Sequence, residues 1–132
     1  MHWTRKFIGM PWSREYDCFA FFAEAQEYAY GIKGIADMPD VPSYNSRKNA
    51  FQFIENSVDV NRKWRPVEFP RDGDAVLFGG SDDRFHVGIW VNISGQNGVI
   101  HCQRGHGVVF TKHASLEAGG TKVEMYLRNI TK

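Results

Sequence analysis

The sequence has little net charge, no long apolar run and only two cysteines. Its 16 Lys and Arg nearly balance 15 Asp and Glu. No run of basic residues is present that could bind a phosphate backbone, so nucleic acid is not an expected partner. No apolar stretch is long enough to cross a bilayer, so membrane insertion is not expected either. The apolar stretch Phe7-Ile8-Gly9-Met10-Pro11 is too short for a signal peptide core. We therefore expect synthesis in the cytosol without a signal peptide.

The length and composition are those of one globular domain. A chain of 132 residues can bury one core but is short for two, so we expect a single domain over residues 1–132. Apolar residues make up 42% and charged residues 23%, which is typical of a folded chain and not of a disordered one.

The strongest local pattern is a helix over Cys18–Tyr30. This stretch has no Gly or Pro, and Phe22 and Ala25 recur at helical spacing. Asp17 is a good N-cap because its carboxylate can accept backbone N–H groups of the first turn, and Gly31 suits the position after the last turn. The pattern therefore sets Cys18 at the first helical position.

The rest of the chain predicts one more helix and then strands. Residues 34–70 contain four prolines and one helical candidate over 47–57, flanked by loops. From Gly73 onward short apolar runs alternate with turn residues, which predicts about five strands. We expect an α+β domain, with N-terminal helices packed on an antiparallel sheet. The predicted strands are Ala75–Phe78, Phe85–Ile93, Val99–Cys102, Val108–Thr111 and Val123–Leu127.

A thiol at a helix start and two histidines on strands are the parts of a nucleophilic site. A helix N-terminus stabilises a thiolate, and an imidazole can accept the thiol proton. Alternation along residues 85–91 sets His86 opposite a core stripe and beside Gly88, which leaves room for a substrate or a helix end. A hairpin can bring His101 to the same face, where it could orient His86. We predict Cys18 as nucleophile, His86 as base and His101 as orienting residue.

Two alternative uses of the cysteines are disfavoured. If His101 faces a cleft that contains Cys18, then Cys102 points to the opposite face, so the two thiols are not expected to meet. Nothing in the sequence suggests an oxidising compartment for a disulfide. A zinc site around His101, Cys102 and His106 is not expected, because no second Cys or His pair completes a tetrahedral ligand set.

Four short segments, in their order and spacing, resemble the motif series of NlpC-type cysteine peptidases. They are Asp17-Cys18-Phe19-Ala20-Phe21-Phe22, Asp72-Gly73-Asp74-Ala75-Val76-Leu77-Phe78, His86-Val87-Gly88-Ile89-Trp90 and Val99-Ile100-His101. Members of that family have a papain-like fold and mostly hydrolyse amide bonds in the stem peptides of bacterial cell walls. The resemblance implies a Cys18, His86 and His101 triad that needs no cofactor.

The resemblance also suggests residues for the oxyanion and the cleft. Gly9-Met10-Pro11-Trp12 resembles the family's Gly-x-Pro-aromatic stretch, where a tyrosine commonly helps to hold the oxyanion. Trp12 has that position here and can donate its indole N–H, Tyr16 is an alternative donor, and the Cys18 backbone N–H is a generic candidate. Trp12 and Trp90 are candidates for the walls of the cleft.

Two departures from the common pattern are similar to phage tail-associated members. Phe19-Ala20 replaces the common Ser-Gly after the cysteine, and the spacer from Trp12 to Cys18 is short. We expect a phage or prophage tail protein that acts on peptidoglycan stem peptides at the cell wall, with other tail proteins as further partners. The alternatives are a catalytically silent tail-tip module of the same fold and a papain-like amidase with another substrate.

Overall fold

The computed structural model describes residues 2–35, 64–79, 86–118 and 122–129. In these ranges the chain has an α+β fold, as predicted, with two α-helices and an open antiparallel sheet of six strands in the order β1-β6-β2-β3-β4-β5. The helices are α1 (Cys18–Tyr30) and α2 (His113–Ala118), and a 3-10 helix spans Trp3–Lys6. The strands are β1 (Trp64–Val67), β2 (Ala75–Gly79), β3 (His86–Ile93), β4 (Gln96–Gln103), β5 (Gly107–Lys112) and β6 (Lys122–Asn129).

Helix α1 begins and ends where the sequence predicts. The Asp17 carboxylate accepts the Ala20 backbone N–H at 2.9 Å, which satisfies a donor of the first turn. Gly31 follows the last turn with a left-handed backbone (φ 70°), a conformation that a residue with a Cβ adopts only at a cost. Phe22 and Ala25 are fully buried, so the predicted apolar side of the helix faces the core.

The sheet has one strand more than the sequence predicts. Strand β1 lies in the region expected to hold only a helix and loops, and it contains Pro66. A proline gives no N–H to a strand ladder and is tolerated at an edge, and β1 is the first strand in the sheet order, paired with β6. Helix α2 was not predicted either. The helix predicted over residues 47–57 lies outside the described residues.

Strands β3 and β4 form a tighter hairpin than the sequence predicts. Their connection is Ser94-Gly95, and both residues have positive φ, 53° and 83°, as in the two-residue turns that match strand twist. Ile93 pairs with Gln96, so β4 begins well before the predicted start at Val99. This turn fixes the register of the hairpin and therefore which of its side chains share a face.

Two hydrophobic clusters cover opposite faces of the sheet. The first joins α1 to strand residues such as Val87 and Ile100, both fully buried. The second contains Leu116 of α2 together with strand residues such as Phe78 and Val99. We call these faces the α1 side and the α2 side. Because neighbouring residues of a strand point to opposite faces, every residue of β3 and β4 belongs to one side or the other.

Asp74 connects the start of β2 to β6. Its carboxylate is 3% exposed and accepts two hydrogen bonds from the Arg128 guanidinium, at 3.1 Å from Nε and 2.8 Å from Nη2. It also accepts the Arg71 backbone N–H at 2.7 Å. A buried carboxylate is stable only while such donors compensate its lost hydration.

Asp74→Asn should lower the free energy of unfolding by about 2–3 kcal/mol. The amide keeps the shape of the side chain but lacks the negative charge that faces the Arg128 guanidinium. Asp72→Asn is the matched control. The Asp72 carboxylate is exposed and accepts the Asn92 backbone N–H at 2.9 Å, so its loss should be about 1 kcal/mol or less. Urea unfolding of the two variants measures both values. Equal losses would contradict this account of Asp74.

Candidate active site

The His86 and His101 imidazoles meet on the α2 side of the sheet. His86 Nε2 lies 2.6 Å from His101 Nδ1, within hydrogen-bonding distance, and the two rings cross edge to face with centroids 4.9 Å apart. The Phe78 ring lies beside both of them, with centroids 5.1 Å from His86 and 5.7 Å from His101. The structure thus brings together the two histidines that the sequence singled out.

His101 is held on its other side by a residue that sequence reasoning missed. His101 Nε2 lies 2.9 Å from Thr111 Oγ1 of β5, and His101 itself is 2% exposed. Burial, and to a lesser degree the neighbouring His86, lowers the pKa of His101 to about 3. At neutral pH His101 is therefore uncharged and carries one ring proton. The alternation of β5 could have put Thr111 on this face, but only with the β4–β5 register known.

The Cys18 thiol lies on the α1 side, where α1 begins, so it does not share a face with the imidazole pair. It is 5% exposed and belongs to the first cluster. Burial raises the pKa of Cys18 to about 12, the charge of Asp17 adds to this, and the Val87 and Phe19 backbone N–H groups oppose it. The thiol is therefore protonated at neutral pH, although it has the helix-start position that favours a thiolate.

Cys102 belongs to the same cluster as Cys18, because α1 packs on the face of the sheet to which Cys102 points. Both belong to the first cluster, and the Cys102 thiol donates to the carbonyl of Tyr16 at 3.7 Å, two residues before Cys18. Cys102 also contributes to the raised pKa of Cys18. Cys102 does point away from His101, as alternation predicts, but α1 packs on the Cys102 face. Both thiols are free.

The sulfur of Cys18 and the backbone of His86 are close along β3. The Val87 N–H that lowers the pKa of Cys18 belongs to the residue directly after His86. Gly88, however, does not leave room for a substrate. A Cβ there would lie 2.5 Å from Val99 Cγ1 and 3.0 Å from the Ile100 carbonyl oxygen, so cross-strand neighbours already fill the space.

The three candidates for the oxyanion and the cleft lie in different surroundings. Trp12 is half-buried, and the Arg104 guanidinium lies 5.4 Å from the centroid of its ring. The Tyr16 hydroxyl donates to Glu24 at 2.8 Å, and burial together with that bond raises the pKa of Tyr16. Trp90 is 6% exposed in the second cluster, so it is a core residue of the α2 side and not a wall beside Cys18.

No protein-family model matches the sequence, and no curated protein shows significant similarity to it. Across the described ranges, no group of three or more His, Cys, Asp or Glu side chains could hold a metal ion. The helices in those ranges are all too short or too polar to cross a membrane.

Cys18 should react slowly with iodoacetamide at pH 7, and its rate should rise about tenfold per pH unit up to pH 9, because only the thiolate is nucleophilic. Peptide mass spectrometry separates labelling of Cys18 from that of Cys102, and the protein unfolded in urea serves as the fully reactive control. Rapid labelling of folded Cys18 at pH 6 would mean a preformed thiolate and would contradict the buried neutral thiol.

The free energy of unfolding should fall as the pH decreases from 6.5 toward 3, because of the protonation of His101. The unfolded chain binds a proton on this ring near its ordinary pKa of 6.5, whereas the folded chain does so only near 3. The free energy of unfolding should therefore fall by up to about 1.4 kcal/mol per pH unit in this window. Urea unfolding at pH 6.5, 5.5 and 4.5 measures it, and His101→Gln, which cannot titrate, should show a shallower decline. Parallel declines in the two proteins would refute this assignment.

Proposed function

We propose that this protein is a cysteine hydrolase of the NlpC type, with a papain-like fold, that cleaves amide bonds in peptidoglycan stem peptides. The proposal rests on a row of three hydrogen-bonded side chains, Thr111, His101 and His86. The residue after His86, Val87, has its backbone N–H beside the Cys18 sulfur. A base oriented by a buried neutral partner, together with a thiol at a helix start, is the set of groups that thiol acyl transfer uses.

In the proposed reaction Cys18 is the nucleophile and His86 moves the protons. The thiol gives its proton to His86 as the sulfur attacks the carbonyl carbon, and backbone N–H groups at the start of α1 stabilise the oxyanion. His86 then gives that proton to the departing amine, which leaves a thioester on Cys18. A water molecule, deprotonated by His86, attacks the thioester, and the acid product leaves as the thiol is restored.

The neutral resting thiol is compatible with this sequence of steps. Proton transfer from a thiol to an imidazole during attack needs no thiolate in the free enzyme, provided that the two groups meet when substrate is bound. The contact between the Val87 N–H and the sulfur supports such a meeting, because it keeps the sulfur within one residue of the His86 backbone.

A location in a phage or prophage tail is part of the proposal and rests on sequence features. The Phe19-Ala20 pair after the cysteine and the short spacer from Trp12 are similar to tail-associated members of the family. In the structure Phe19 is a core residue, 4% exposed, which accounts for a large aromatic side chain after the cysteine. Peptidoglycan and other tail proteins are the partners that such a location implies.

The burial of Cys18 favours a second candidate, a catalytically silent structural module of the same fold. A sulfur that is 5% exposed, with a pKa raised to about 12, is typical of a cysteine that acts as a small core residue. On this alternative the imidazole pair is a leftover of an ancestral site. The two candidates differ in one measurable property, which is turnover.

The test is cleavage of purified muropeptides, followed by liquid chromatography and mass spectrometry. The protein should release a defined stem-peptide fragment, and Cys18→Ala should lower that rate by at least about 10³-fold, because the acyl-enzyme cannot form. Cys102→Ala is the matched control, since it removes the other buried thiol of the same cluster and should retain cleavage.

Circular dichroism and thermal melting of both variants confirm that they fold. Unchanged cleavage by folded Cys18→Ala would overturn the proposed mechanism. A folded wild-type protein that cleaves no stem peptide would favour the silent module.

A further inference from the structure

Thr111 is placed to interact with His101 by the register of β4 and β5. Val99 pairs with Thr111 and His101 pairs with Val109, so Thr111 is the diagonal neighbour of His101 on the α2 side. Its Oγ1 lies 2.9 Å from His101 Nε2, while His101 Nδ1 lies 2.6 Å from His86. Both ring nitrogens of a nearly inaccessible imidazole thus have one partner each.

The two hydrogen bonds of His101 depend on each other, because a neutral imidazole has one N–H and one lone pair. If Nε2 carries the proton, it donates to the Thr111 hydroxyl, and Nδ1 accepts a proton from His86 Nε2–H. If instead the Thr111 hydroxyl donates to Nε2, then Nδ1–H donates to His86 Nε2. The group that faces Nε2 therefore decides which way the bond to His86 runs.

The direction of that bond decides which nitrogen of His86 can act as the base. When His86 donates from Nε2, its neutral ring has its lone pair on Nδ1, and that nitrogen can accept the thiol proton. When His86 accepts at Nε2, its own proton lies on Nδ1, which then cannot accept another. Protonated His86 donates from both nitrogens, so only the first arrangement also suits the charged form during the reaction.

We propose that Thr111 is a positioning residue that accepts the His101 Nε2–H and thereby makes Nδ1 of His86 the nitrogen that takes the proton. This inference rests on the proposed function of His86 as the base. Thr111 contacts neither substrate nor reacting atoms. It acts through His101, as an outer partner that fixes a tautomer and ring orientation.

Thr111→Val removes the hydroxyl but keeps the branched shape that a strand prefers, and Thr111→Ser keeps the hydroxyl. Thr111→Val should lower kcat on muropeptides about 10–100-fold with little change in KM, because substrate contacts are untouched. Thr111→Ser should restore kcat to near the wild-type value. Thermal melts of the three proteins show whether a loss of kcat follows from unfolding.

Thr4 offers a matched control. It is another threonine whose hydroxyl bonds a histidine, with Oγ1 at 2.8 Å from His2 Nδ1, and it lies buried in the 3-10 helix. Thr4→Val deletes the same kind of bond away from the imidazole pair, so kcat should not change. An equal loss of kcat in Thr4→Val and Thr111→Val would overturn the proposal, as would failure of Thr111→Ser to restore kcat.

Nitrogen-15 NMR of labelled histidines tests the inference without any turnover. In the wild-type protein His101 should be protonated at Nε2, and in Thr111→Val its proton should move to Nδ1. An unchanged His101 tautomer in folded Thr111→Val would overturn the proposal even if cleavage is normal. If the wild-type protein cleaves nothing but the tautomer moves as expected, the proposed function fails while the role of Thr111 in setting the tautomer stands.

Discussion

The cross-strand register of β3, β4 and β5 decides which candidate site residues can meet. A slip of one residue in any of these pairings would move every side chain of a strand to the other face. The Ser94-Gly95 turn fixes the first pairing, with Ile89 opposite Ile100, and the β4–β5 ladder fixes the second. Both together put His86, His101 and Thr111 on the α2 side, and they put Cys102 against α1.

Burial acts on the thiol and on the imidazole in the same direction, toward the neutral form. It raises the pKa of Cys18 and lowers that of His101, because a charge of either sign loses its hydration inside the protein. The resting site therefore holds no charge on these two groups. In the proposed reaction, a thiolate and an imidazolium form only when substrate is bound, so the proposal depends on the access of His86 to the sulfur.

Local signals in the sequence predicted α1 fully, while features that depend on tertiary packing were missed. Asp17 and Gly31 act within one turn of the helix ends, so the bounds of α1 follow from neighbouring residues alone. Strand β1 is short and contains Pro66, and only its pairing with β6 makes it a strand. Both faces of the sheet are apolar, so helix α1 could pack on either of them. No local sequence pattern determines which face it covers. For that reason the pairing of the two histidines was predicted correctly, whereas the packing of Cys18 and Cys102 into one cluster was not.

Stability alone gives no reason for two imidazoles at these positions. His101 lies among buried residues such as Val99 and Phe78, where a valine or isoleucine would avoid the loss of hydration that a buried imidazole suffers. Its two ring nitrogens are satisfied only because β3 and β5 each supply a partner at the right register. Such a row forms only if three strands pair in the register that brings these three side chains within hydrogen-bonding distance. One apolar substitution would leave a buried donor unpaired. The presence of such a row in an otherwise apolar face would be accounted for by the proton chemistry proposed for His86, and in this respect it favours the proposed hydrolase over the silent module.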